Sequence, residues 1–425
     1  MKMNMNVNIK LPSLDIDTEK YNNYEFKPMD AQLSKVPKEI KLCKKCIMPN
    51  TRPRIEFDEE GVCNACRYAE KKFHGGIDWD AREKELKELL DKHRSKDGSF
   101  DCLVPGSGGK DSVFVAEELK KYGMHPLLVT WGPFMWAPIG YQNYINWIQA
   151  GNDGLVLFQN GILHRKLSRI GFELLGDNFE PFTYGQKAFV FHVALRFKIP
   201  LIFYGENGEV EYGGSTKNQN KPYESVEDWQ NFYYKGNTFD NLLNEGVKMG
   251  ILKEEEIENH NFDFYKTPPI EEIKKLGIQM HWFSYYKKWN PLENYSYAQK
   301  ATGFEAAPER TEGTYNSYCS IDDETDPFHW YLGFIKYGYG RCTREACSEI
   351  RSGDMTREEA LQLAKKYDAE FPEKAFKGFL EYLDMTEEHF WEVIDRYRLP
   401  HIWKKEDGEW KLRHPVWEIE QGKKE

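Results

Sequence analysis

The chain has 425 residues, 40% of them hydrophobic, and 58 Lys and Arg against 69 Asp and Glu, a formal net charge of −11. That length allows a large buried core and two or three domains, and the acidic balance argues against a broad nucleic-acid footprint. No stretch approaches the ~20 apolar residues of a membrane span and Met1-Lys-Met-Asn-Met-Asn6 has no apolar signal-type core, so a cytoplasmic protein is expected.

Residues 1–40 mix Asn, Lys and Asp with isolated apolar side chains and read as an extension that wraps the body or stays mobile. Residues 41–76 hold two cysteine knuckles, Cys43-Lys-Lys-Cys46 and Cys63-Asn-Ala-Cys66, with sixteen residues between them. Each knuckle can turn two sulfurs toward one ion, and two knuckles complete a closed tetrahedral site. Structural zinc on Cys43, Cys46, Cys63 and Cys66 is the reading, with an iron–sulfur cluster or a redox pair as rivals. Cys102, Cys319, Cys342 and Cys347 form no such pair and read as packed thiols.

Residues 77–215 open with a helix capped by Asp78 and then alternate strand and helix. Strands are expected at Asp101–Pro105, Pro126–Trp131, Gly154–Gln159 and Pro200–Gly205, and helices at Ser112–Tyr122, Ile162–Leu175 and Gln186–Lys198. The alternation predicts a parallel sheet with helices on both faces and a ligand site beyond the carboxyl ends of its strands. Ser107-Gly-Gly-Lys-Asp-Ser112 lies directly after the first strand. Its glycines permit a tight turn with inward N–H groups, and the following helix adds a partly positive N-terminus. Ser107, Gly108, Gly109, Lys110, Asp111 and Ser112 are therefore candidates for holding the phosphates of ATP, with Asp111 a candidate ligand for Mg2+ riding on them. Thr130, Trp131 and Gly205, on the neighbouring strand ends, complete the nucleotide set. The residue after Gly-Lys is Asp rather than Ser or Thr, so the string is not a Walker loop; it resembles the PP-loop of the ATP pyrophosphatase superfamily, whose members cleave ATP between the α- and β-phosphates.

Residues 216–425 change character. Asn218–Asn237 reads as a loop, Met280–Tyr286 as strand-like, and His401–Trp417 as a hairpin around Glu406-Asp-Gly408. Helices are expected at Phe239–Lys248, Glu254–Asn259, Pro327–Tyr337, Thr343–Arg351, Thr356–Tyr367, Glu373–Leu383 and Thr386–Arg398. The fold class is thus α/β: a parallel-sheet PP-loop domain, a small four-cysteine module before it, and a helical C-terminal region ending in a hairpin.

Four further strings accompany the PP-loop: Cys46-Ile-Met-Pro-Asn-Thr-Arg-Pro53, Gly205-Glu-Asn-Gly-Glu-Val-Glu-Tyr-Gly-Gly214, Gly313-Thr-Tyr-Asn-Ser-Tyr318 and Phe334-Ile-Lys-Tyr-Gly-Tyr-Gly-Arg341. In this order they resemble the N-acetyl sugar amidotransferase family, the WbpG/PseA group of surface-polysaccharide and nonulosonic-acid biosynthesis, from about Cys43 to the C-terminus. The resemblance implies conversion of a sugar acetamido group to an acetamidino group through an adenylylated imidate. It also implies a nucleotide-linked N-acetylated sugar as substrate, and ammonia from a HisH-like glutaminase with a HisF-like companion. Lys110 and Asp111 would stabilise phosphate charge. Glu206 and Glu211 could bind magnesium or accept a proton, or belong to a solvated acidic loop, the reading preferred for Glu209. Tyr212, Thr314, Tyr315 and Asn316, with Tyr318, could contact the sugar or form a polar turn. Arg341 or Arg351 could clamp an anion or pair with Glu345 or Glu349. His329 reads as a packed histidine. The rival function is a PP-loop thiolation enzyme acting on tRNA or a small molecule, which the acidic surface and the lack of a third CxxC disfavour.

Overall fold

Strand and helix alternate from Phe100 onward because short β-branched and leucine runs are separated by longer segments with helical period. A computed structural model describes residues 10–223 and 237–419. Five parallel strands, β1 (Cys102–Pro105), β2 (Pro126–Trp131), β3 (Asp153–Leu157), β4 (Leu201–Tyr204) and β5 (Gln279–Trp282), form one sheet in the order β3-β2-β1-β4-β5. Successive side chains face opposite ways. Leu103, Leu127, Val129 and Ile202 pack with the helices Gly161–Leu175 and Glu180–Phe197. Cys102, Val104, Leu128, Leu201 and Phe203 pack on the other face, with Val113, Ala116 and Leu119 of the helix Lys110–Lys121 and with Trp147 and Ala298. Both faces are covered, as a parallel sheet requires. Strand order reverses between β1 and β4, and the loops leaving these two strands flank the crevice that such a reversal opens.

Several helices escaped the sequence reading, Asn64–Phe73 and Ile270–Leu276 among them, and so did two that border the site, Pro138–Gln149 and Pro291–Thr302. Both are rich in Asn and Tyr and show no clean apolar stripe; each starts on a proline in its first turn, where the missing N–H costs nothing. The strand-like run at Met280–Tyr286 is strand only to Trp282 and then turns into the short helix Phe283–Tyr286. Most of the Asn218–Asn237 loop, residues 224–236, lies outside the described residues, as do residues 1–9 and 420–425.

The cysteine knuckles share a core with the C-terminal helices. Cys43, Cys46, Ile47, Cys63 and Cys66 join Phe328, Leu332, Phe379 and Phe390. The described part of the N-terminal extension wraps rather than floats: Leu14 is buried, Tyr21 and Met29 pack on the sheet-side core, and Asp30 pairs with Lys336 at 3.0 Å. The hairpin pairs Trp403–Glu406 with Glu409–Leu412, and Asp407 and Gly408 between them both have positive φ.

Candidate active site

Tight backbone approach explains the glycines after β1. Gly108 has φ +83°, and a Cβ there would lie 2.6 Å from the Tyr144 Cα. Gly106 donates its N–H to the Val129 carbonyl at 3.1 Å and accepts from Thr130 Oγ1 at 2.7 Å, so Thr130 pins the loop to β2 rather than facing the cavity. Gly109 caps the helix Lys110–Lys121 with no side-chain hydrogen bond, and space lies open beside it. The first helical N–H groups lack a side-chain cap where an anion would sit.

A cavity of about 520 Å³ lies over the carboxyl ends of the strands. Ser107, Gly109, Lys110, Asp111 and Ser112 line it from the loop, Trp131 from β2, and Gly205 and Glu206 from the segment after β4. Asp322, Asp323 and Asp326 close its far rim. A second cavity, of about 320 Å³, has Lys110, Asp111 and Glu206 in its wall together with Tyr212, Asn316, Glu345 and Glu349. Lys110, Asp111, Glu206, Tyr318, Cys319 and Ser320 line both. The two spaces therefore meet at the residues best able to handle charge and protons.

At that junction Lys110 Nζ lies 2.5 Å from Asp111 Oδ2, and Asn294 Nδ2 donates to Asp111 Oδ1 at 3.0 Å. Burial opposes the charge on Lys110, but the facing Asp111, Cys319 and Glu206 outweigh it and hold its pKa above the usual lysine range. Tyr212 Oη donates to Glu206 Oε1 at 3.2 Å. Burial, and then the Asp111 carboxylate, push the Glu206 carboxyl up to about 7, against the pull of Lys110 and the Tyr212 hydrogen bond. A carboxyl so poised can gain or lose a proton near neutral pH.

Other sequence candidates lie elsewhere. Glu211 is buried and pairs with Lys72 at 2.6 Å, while Lys72 also donates to the Trp289 carbonyl at 2.9 Å, so Glu211 lines neither cavity. Glu209, read as solvated, is buried and held by Arg54 at 2.5 Å. Thr314 is buried and donates to Glu345, Asn316 donates to the same carboxylate, and Tyr315 packs against the C-terminal core. Of these three only Asn316 lines the second cavity. Arg341 is buried, with Nε 2.8 Å from Glu345 Oε1 and Nη2 donating to the Cys319 carbonyl at 2.5 Å, so it fixes the junction segment from behind. His329, read as packed, is only half-buried: its Nδ1 lies 2.8 Å from Asp177 and it borders a further cavity. Sequence reasoning missed Asn294 and the lining residues Arg52, Trp330 and Arg344. Arg52 sat in view inside the Cys46–Pro53 string.

The four knuckle sulfurs all lie within 4.8 Å of one another and are buried. Cys43 and Cys66, and Cys46 and Cys63, are 3.8 Å apart. A tetrahedral ion with bonds of ~2.3 Å spaces its sulfurs by about that distance, whereas a disulfide needs ~2 Å. The Cys63 and Cys66 N–H groups donate to Cys43 and Cys63 sulfurs, as suits thiolates. Among the described residues Arg351 Nη1 and Nη2 are buried without hydrogen-bond acceptors, and the cysteine sulfurs raise the Arg351 pKa against its burial. A zinc tetrathiolate, carrying two net negative charges, fits that guanidinium. The cluster could thus hold zinc, with all four positions closed and a structural role.

Residues 312–415 match the family model described as LPS biosynthesis protein WbpG-like, C-terminal domain. That segment contributes Asn316, Trp330, Arg344, Glu345, Glu349 and Arg351 to the second cavity, so the WbpG-like match falls on the wall shared with Lys110 and Asp111. No curated protein matches the chain. Among the described residues no helix is long and apolar enough to cross a membrane.

Proposed function

We propose that the chain is an ATP-dependent, AMP- and pyrophosphate-forming N-acetyl sugar amidotransferase of lipopolysaccharide or nonulosonic-acid biosynthesis. One observation carries the reading: a cavity lined by a PP-loop-like turn and a cavity walled by the WbpG-like segment share Lys110, Asp111 and Glu206. ATP takes the first cavity and the N-acetylated sugar the second. The acetamide oxygen attacks the α-phosphorus and pyrophosphate leaves, giving an O-adenylyl imidate. Ammonia adds to the imidate carbon, AMP departs with the former amide oxygen, and the acetamidine remains. An amide is a poor electrophile, and adenylation turns its oxygen into a phosphate leaving group.

Lys110 and the uncapped N–H groups after Gly109 stabilise charge on the phosphates. Asp111, oriented by Asn294, is the side chain placed to hold Mg2+, which supplies charge neutralisation when bound. Glu206, near 7 and bonded by Tyr212, accepts the proton that adding ammonia sheds. Ammonia comes from a HisH-like glutaminase with a HisF-like companion, on the strength of the family resemblance alone.

The test is pyrophosphate release from ATP and magnesium with ammonium chloride and a panel of N-acetylated nucleotide sugars. Sugar-dependent release, a product about one dalton lighter as O is exchanged for NH, and loss of both in Lys110→Ala are expected. Release that ignores every sugar but answers to tRNA and a sulfur donor would replace this reading with thiolation.

A further inference from the structure

A third cavity, of about 270 Å³, shares Arg52, Trp330 and Arg344 with the second. Most cations around it have carboxylate partners. Arg54 is 2.5 Å from Glu209, Lys336 is 3.0 Å from Asp30, and His329 is 2.8 Å from Asp177. Arg52 and Arg344 differ: among the described residues neither has a carboxylate partner. Arg52 spends only Nε, on the Gly213 carbonyl at 3.0 Å, and the Arg344 guanidinium lies 4.9 Å from the centre of the Trp330 indole ring. The two arginines also repel one another, since Arg344 is the foremost charge lowering the Arg52 pKa after burial itself. The carboxylates of the second cavity do not relieve them. Glu345 is held by Arg341, Thr314 and Asn316, and Glu349 accepts from Tyr318 at 3.4 Å. Glu209 attracts Arg52 but is already paired with Arg54, so among the described residues two like charges gathered in a half-buried wall have no carboxylate of their own and call for an anion from outside. The indole N–H of Trp330 is likewise buried without an acceptor among the described residues.

We infer that Arg52 and Arg344 form a specificity-determining anion subsite that reads a fixed negative charge on the sugar substrate, with the substrate reaching past them from the second cavity into the third. The inference rests on the amidotransferase reading and refines it. Lys110, Asp111 and Glu206 mark where the acetamido group reacts, and the two arginines grip the same molecule elsewhere in the cavity wall. A planar guanidinium pair suits either phosphate oxygens of a sugar carrier or a carboxylate on the sugar ring, chemistry the two sources share. Arg52 belongs to the cysteine module, so that module builds part of the substrate site as well as the core.

Equilibrium binding at saturating AMP, which occupies the first cavity, separates this from turnover. The probes are UDP-N-acetylglucosamine, N-acetylglucosamine 1-phosphate, N-acetylneuraminate and neutral N-acetylglucosamine. At least one charged probe should bind tenfold or more tightly than the neutral sugar; phosphate probes doing so assign the carrier, and neuraminate the ring carboxylate. Arg344→Gln and Arg52→Gln should each erase that preference, Arg344→Lys should keep part of it, and rising salt should weaken it. Among the described residues the Arg344 side chain meets only aromatic rings, so its variant should fold even if loss of the Arg52–Gly213 contact loosens the other. Equal binding of neutral and charged probes, or a charge preference that survives Arg344→Gln in folded protein, overturns the inference. Failure of sugar-dependent pyrophosphate release would instead overturn the amidotransferase reading, while the binding result stands by itself.

Discussion

Replacing Glu206 by Gln should stabilise the protein at alkaline pH while destroying its activity. The folded-state pKa of about 7 lies above the ordinary 4.5, so the folded chain holds a proton that the unfolded chain has released. Below pH 4.5 both states are protonated and the position costs nothing. The cost grows between 4.5 and 7 and is complete above 7. Raising a carboxyl from 4.5 to about 7 corresponds to ~3 kcal/mol at ~1.4 kcal/mol per tenfold change in proton affinity. Gln keeps the shape and the acceptor for Tyr212 but never ionises. Urea unfolding of both proteins at pH 8 and pH 5 should show the variant ahead by up to ~3 kcal/mol at pH 8 and by less than ~1 kcal/mol at pH 5. The acetamidine-forming rate of the wild type should rise with pH through about 7, and the variant should lose ~10²–10⁴-fold. A stability difference that ignores pH, or a variant less stable at pH 8, would refute the argument that Glu206 is a carboxyl held against its ionisation.

Three further outcomes follow from the geometry. Lys72→Met alone strands the buried Glu211 carboxylate and should cost ~3–5 kcal/mol in chemical unfolding, whereas Lys72→Met with Glu211→Leu should recover most of it, as befits a structural pair. Asn294→Ala frees Asp111 from its orienting bond; kcat should fall ~10-fold or more with the melting temperature nearly unchanged, and an unaltered kcat would remove Asn294 from the site. Cys43→Ser, or stripping with a chelator, should lower bound zinc measured by mass spectrometry. Because Met48 and Arg52 of that module line the second cavity, it should also raise the KM for sugar more than that for ATP.

What the sequence decided by itself is what local physics decides. The glycine turn of Ser107–Ser112 between a strand and a helix, the paired CxxC spacing and the strand–helix alternation each depend on neighbours within a few residues, and each could be read directly. The helices Pro138–Gln149 and Pro291–Thr302 could not, because their buried faces use Asn143, Asn294 and aromatic residues that carry no apolar period. Tertiary structure alone sorted the charged residues. Glu206 and Glu211 are five positions apart in one motif with similar surroundings in sequence. One faces the junction of two cavities, and the other meets Lys72, 139 residues away. Arg341 and Arg344 lie on one helix, yet Glu345 claims the first while the second stands in the cavity wall against Trp330. Whether a charge is neutralised or available depends on which distant side chain folding brings beside it, and that long-range pairing leaves no mark on local composition.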